Sequence, residues 1–133
     1  AWVMDLRSAG KLGLESNGRA SRGIGSPPSP AVSNLDMQPG TVTPKAMIGE
    51  IENGFYVTEL IGNGADIATG DYSRGASGFW IENGEITHPV NELTIASNLK
   101  DMFLALTPAN DLVRRGSVNA PTVRIDGMTI AGQ

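Results

Sequence analysis

The chain has 133 residues, with 10 Lys and Arg against 14 Asp and Glu, one His and no Cys, for a formal net charge of -4. That is the size of one ordinary domain, and it excludes a disulfide framework, a cysteine nucleophile, a thiolate zinc site and the paired-histidine motifs of zinc peptidases. A net negative chain is poorly suited to neutralise phosphates, so no direct nucleic-acid partner is expected, and no apolar run nears the roughly 18 to 20 residues of a membrane span.

The N-terminus lacks the basic-then-apolar pattern of a secretion signal, which points to the cytoplasm. The chain starts at Ala1 and runs at once into Trp2, Val3 and Met4, and is read as a piece or processed product of something longer. Its 17 glycines are close to double the usual share of roughly 7%, so many turns are expected.

Residues 1–42 read as an extended, loop-rich segment. Residues 21–30 combine Gly, Ser and three prolines, with Arg19 just before them and Arg22 near their start, as a surface crossing or a functional loop would. Residues 43–133 read as a sheet with helices. Thr43 can cap and Pro44 suits the first helical position, which predicts a helix over 44–53 stopped by Asn53-Gly54. Residues 55–61 are aromatic, β-branched and apolar on both faces except at Thr58 and Glu59, as in a central strand covered on both sides. Short strands follow over 66–72, 76–82, 85–90 and 93–96. Asn83-Gly84 supplies the two positive-φ residues of a type I′ hairpin.

Leu99, Met102, Phe103 and Leu106 fall at helical spacing behind an Asn98 cap, with Pro108 as the stop. Residues 122–125 and 128–131 flank Asp126-Gly127 as a second hairpin. The expected fold class is therefore α+β, rich in mainly antiparallel sheet, with two short helices and no internal repeat.

Most catalytic patterns fail on spacing. Gly62-Asn63-Gly64 with Gly70 is neither GxGxxG nor a lysine-bearing phosphate loop. Ser8 with Lys11 and Ser97 with Lys100 both match SxxK, but the accompanying elements of serine hydrolases are absent. Glu82 and Glu85 flank the Asn-Gly turn, as acid/base partners or as exposed hairpin charges. Asp66, Asp71 and Arg74 lie in a stretch dense in small residues, where a ligand backbone can approach closely, although turn chemistry also accounts for its glycines. His88, beside Pro89, is the one imidazole that titrates near neutrality and is a poor metal ligand alone. Arg114-Arg115 reads as a solvated face.

The string GDYSRGASGFWIENGEI over residues 70–86, followed by Pro89-Val90, Leu93-Thr94-Ile95-Ala96 and Asn98-Leu99, resembles the C-terminal region of the TldD/TldE family, whose second member is also called PmbA. Ser21-Arg22-Gly23, Ser33-Asn34-Leu35, Pro39-Gly40, the stretch 54–60, Asn110-Asp111-Leu112, Ala120-Pro121 and the stretch 129–132 carry the resemblance over nearly the whole chain. Pro108, just before Asn110, departs from the longer helix that the resemblance implies.

The resemblance implies a two-subunit zinc metalloprotease in which a TldD-type subunit supplies an HExxxH helix and a cysteine ligand, while a TldE-type subunit has no metal site. This chain is similar to the TldE side, so no catalytic or metal residue carries over. The expectation is the C-terminal domain of a non-catalytic subunit, with no cofactor of its own, zinc in a TldD-like partner, and unfolded peptides as substrate. Asp71, Tyr72, Ser73, Arg74 and His88 are the candidate peptide or subunit contacts. The alternative is a protein-binding regulatory module, in line with the family's older label of DNA gyrase modulator. A third reading is an independent hydrolase using Asp71, Glu82 or Glu85.

Overall fold

The stretch expected to be loop-rich opens with a helix. In the computed structural model, which describes residues 6–132, α1 covers Leu6–Leu12. Gly13 at φ +65° ends it, with Leu14 N–H donating to the Ala9 carbonyl at 2.9 Å and Gly13 N–H to that of Gly10 at 3.4 Å, the paired bonds of a glycine-terminated helix. Leu6 and Leu12 are 82% and 65% exposed and Ala9 alone is buried, so no apolar stripe marks the helix in the sequence. The Trp2-Val3-Met4 opening lies outside the described residues.

Short strands β1 (Ala20–Ser21), β2 (Ser29–Pro30) and β3 (Leu35–Asp36) follow, with β1 and β2 paired antiparallel around the proline-rich stretch. Then come α2 (Pro44–Gly49), β4 (Asn53–Ile61), β5 (Asp71–Glu82), β6 (Glu85–Asn98), α3 (Leu99–Leu104), β7 (Leu106–Pro108), β8 (Val118–Asn119), β9 (Val123–Ile125) and β10 (Thr129–Ala131). The fold is α+β and mainly antiparallel as expected, with three short helices among the described residues instead of two, and with β3 pairing parallel to β8.

The chain divides into two units, Ala1–Met37 with Arg114–Asn119 and Gln38–Val113 with Ala120–Gln133. In the first, β3 and β8 are locked by Asn119, which is 8% exposed. Its amide nitrogen donates to Asp36 at 2.7 Å and its oxygen accepts from the N–H groups of Arg115 and Gly116. Arg114, expected to be merely solvated, reaches the same Asp36 through Nε at 2.6 Å.

The second unit is built on a sheet in the order β10-β6-β5-β4. Its buried apolar residues include Met47, Ala76, Ile81, Leu93, Ile95, Met102 and Ala109. The Asn83-Gly84 hairpin forms as predicted, with φ +49° and +81° and Glu82 opposite Glu85. Thr43 caps α2 by accepting from Ala46 N–H at 3.2 Å. The helix stops at Gly49, short of the predicted end: Ile51 N–H closes a tighter turn onto the Ile48 carbonyl at 3.0 Å, and the carbonyls of Ile51 and Glu52 accept from the N–H groups of Gly84 and Asn83. Asn53-Gly54 thus opens β4 opposite Glu82 and Ile81.

Five further expectations are corrected. β4 is an edge strand, not a central one; its outer residues Leu60 and Ile61 are 39% and 50% exposed. Residues 66–70 form a turn, and the strands predicted over 85–90 and 93–96 are one strand. The apparent break is a bulge, in which Asn91 and Glu92 stand against Ser77 alone and Glu92 takes φ +59°. Asn98 caps α3 by accepting from Lys100 N–H at 3.1 Å, but the helix ends at Leu104, and Pro108 sits in β7. The second hairpin does not exist: β9 pairs with β7 and β10 with β6, so the two arms of the Asp126-Gly127 turn join different sheets. No described helix is long and apolar enough to cross a membrane.

Candidate functional site

The stretch singled out in the sequence becomes a turn laid against the start of β5. The Asp66 carboxylate accepts from the N–H groups of Ala68 and Thr69 at 2.8 and 3.2 Å, a side-chain turn typical of aspartate. Asp66 N–H donates to the Asp71 carbonyl at 2.8 Å and Ser73 N–H to that of Gly64 at 2.7 Å. The Thr69 hydroxyl donates to the Asp71 carboxylate at 2.9 Å. Asn98 pins the turn from β6 by donating to the Thr69 carbonyl at 3.2 Å, while Leu99 N–H donates to that of Gly70 at 2.6 Å. Asn63, Gly64, Ala65, Asp66, Asp71 and Ser73 line a shallow, open groove here.

Strand alternation splits the candidate contacts between two faces. Asp71 and Ser73 stand opposite Asn98 and Ala96 on one face, where both are exposed, while Tyr72 and Arg74 stand opposite Ser97 and Ile95 on the face that buries Ala76 and Leu93. Both edges of this part of β5 are occupied, one by β6 and the other by residues 64–66 against 71–73 and by β4 against 75–78. A peptide therefore cannot add main chain to main chain at residues 70–78; the free edges of this sheet belong to β4 and β10.

His88 is not brought to this group. Arg74 pairs with Ile95, seven residues from His88 along β6, or about 23 Å at strand rise. His88 is exposed, with Nδ1 3.1 Å from the Thr87 hydroxyl. Glu82 and Glu85 face each other across the hairpin end, both exposed. Ser97 lies in β6 and Lys100 in α3, so no single helical turn joins that SxxK pair. Asn98, which ties β6, α3 and the turn together, was read as a helix cap only; its side-chain bond to Thr69 has no sequence signal, because 29 residues separate the two.

Among the described residues no group of three or more His, Cys, Asp or Glu side chains can hold a metal ion. Without cysteine and with one isolated histidine, the donor set does not fit the zinc site that a metallopeptidase requires.

The profile of the PmbA/TldA metallopeptidase C-terminal domain family matches residues 1–132. The chain is 43% identical over 133 residues to Metalloprotease PmbA of Escherichia coli O157:H7, covering 99% of this chain and 28% of that protein. It is 40% identical over 135 residues to the Metalloprotease PmbA homolog of Haemophilus influenzae, covering 98% and 28%. Among solved structures it matches a candidate modulator of a DNA gyrase from Thermotoga maritima, with a TM-score of 0.80 at 30% identity over 98% of this chain and 30% of that one. It shares the fold of TldE from Thermococcus kodakarensis, with a TM-score of 0.83 at 24% identity over 99% and 31%. The chain spans 28% of the length of these curated relatives.

Proposed function

The chain belongs to the PmbA/TldA metallopeptidase C-terminal domain family, and from this we propose that it is the C-terminal domain of a TldE-like, non-catalytic subunit in a two-subunit zinc metalloprotease acting on unfolded peptides. The observation that carries this reading is chemical: the whole sequence has no cysteine and one histidine. The thiolate that a zinc-bearing subunit draws from its C-terminal part has no counterpart here. Zinc and the general base are then supplied by a TldD-like partner in the cytoplasm.

In this role the domain contributes walls and interface. The edge of β4 offers main-chain groups to an extended substrate. Asp71 and Ser73 meet it from the groove, Tyr72 and Arg74 from the opposite face, and His88 serves as a separate contact at the far end of the sheet.

The test is co-purification of the tagged full-length protein from its source lysate, with zinc analysis and a peptidase assay of the eluate. An HExxxH-bearing partner, zinc and chelator-sensitive peptidase activity are expected together. A protein that elutes alone, metal-free and inactive overturns the reading in favour of a regulatory module, the role suggested by the name of the Thermotoga maritima relative. Activity of this subunit alone that survives chelation would instead assign catalysis to carboxylates such as Asp71, Glu82 or Glu85.

A further inference from the structure

Arg74 is a cation with too few partners. Its Nε atom is buried and has no hydrogen-bond partner, and one terminal nitrogen donates to the Leu60 carbonyl at a long 3.4 Å. A guanidinium carries five N–H donors and no acceptor, and charged groups withdrawn from water are costly unless paired. The ion pairs among the described residues are Arg114 with Asp36 and Arg124 with Glu50 and Asp126; none involves Arg74.

The strand register explains why no carboxylate among the described residues answers it. Asp71 lies on the other face of β5 and is held by Thr69. Glu59, opposite Ser77, also falls on the other face. The face that Arg74 occupies carries Tyr72, Ser97, Ile95, Ala76 and Leu60, all uncharged. Arg74 as a whole is half-buried, so part of the residue still meets solvent.

We propose that Arg74 is a receptor for a carboxylate brought by a docked peptide, gripped bidentately through its terminal guanidinium nitrogens, with the hydroxyl-bearing pair Tyr72 and Ser97 next along the same face. This rests on the reading that residues 70–78 meet peptide, and it names the chemistry they select: acidic side chains or a C-terminal carboxylate.

The full-length protein is titrated calorimetrically at low salt with two probes, N-acetyl-triglutamyl amide and its neutral triglutaminyl counterpart. The acidic probe is expected to bind at least about tenfold more tightly. Arg74→Lys should lose about tenfold of that affinity, since an ammonium cannot form the fork, and Arg74→Met should abolish the preference. The thermal midpoint of Arg74→Met should equal or exceed that of the parent, because the substitution removes an unpaired buried donor. Equal binding of both probes, no binding of either, or a preference that survives Arg74→Met overturns the proposal. A lowered midpoint with the preference retained assigns Arg74 to the fold and also overturns it. Neither probe requires zinc or a second subunit, so a preference that depends on Arg74 in a protein that recruits no zinc-bearing partner upholds the receptor and sinks the subunit reading alone.

Discussion

Gly64 and Ser73 are held face to face: Ser73 N–H donates to the Gly64 carbonyl at 2.7 Å, and a Cβ on Gly64 would overlap the Ser73 carbonyl oxygen. The residue in its way is backbone, which cannot swing aside as a side chain would. Gly64→Ala is therefore expected to cost about 1–3 kcal/mol, read as a lowered thermal midpoint. Gly10, in α1, has nothing within 4 Å of its own hypothetical Cβ, and Gly10→Ala should stabilise by about 0.5–1 kcal/mol. Equal effects at the two positions would refute the close approach at Gly64.

Asn119 uses both ends of its amide, donating to Asp36 and to the Gly116 carbonyl while accepting from two backbone N–H groups. Asn119→Asp keeps the shape but sets a second carboxylate against Asp36 and removes both donors. A loss of about 1–3 kcal/mol is expected at neutral pH. The penalty should narrow in acid, where protonating either carboxyl restores a donor. Denaturant unfolding of both proteins at two pH values measures this, and a penalty that is constant with pH contradicts the assigned bonding.

Local chemistry was legible in the sequence where a few adjacent residues decide the outcome. Asn83-Gly84, the Thr43-Pro44 start and the Asn98 cap each act within four residues, and each forms as read. Partner choice was not legible. Asp126-Gly127 looks like a hairpin turn, and Gly127 does take φ +78°, yet which strand each arm joins depends on β6 and β7. The apolar run of β4 suggested burial on both faces, but edge position is a property of the whole sheet. Of the candidate site, the alternation separating Arg74 from Asp71 and Ser73 follows from strand geometry alone. That Arg74 has no acidic partner among the described residues follows only from the register.

Gly84 offers a sharper check on the hairpin. It sits at φ +81°, and a Cβ there would lie 2.7 Å from the Gly49 carbonyl oxygen, so strain and overlap act together. Gly84→Ala is expected to cost about 2–4 kcal/mol, while Asn83→Gly, at φ +49°, should be tolerated within about 1 kcal/mol. Chemical denaturation curves for both variants decide it, and equal losses would speak against the type I′ geometry.

Asp36 and Asp111 each carry hydrogen bonds that favour the ionised carboxylate in the folded chain. Asp36 is held below the ordinary aspartate value of 3.8, first by the hydrogen bond from Arg114 and next by that from Asn119. Asp111 is lowered first by the Thr122 hydroxyl, at 2.8 Å, and next by the Thr122 backbone N–H, at 2.9 Å. Unfolding removes these donors, so each group titrates near its ordinary value in the open chain. A carboxyl whose folded pKa is depressed adds stability that is complete above its unfolded value and is lost as pH falls toward the folded one. The contribution of these two groups to the thermal midpoint should thus be flat above about pH 5 and decline below about pH 4. Asp111→Asn and Asp36→Asn remove the titrating groups and should each make the acid limb shallower, with the double variant shallower still. Thermal unfolding followed between about pH 2 and pH 7 tests the assignment; limbs as steep in both variants as in the parent would mean that other carboxyls carry the acid transition.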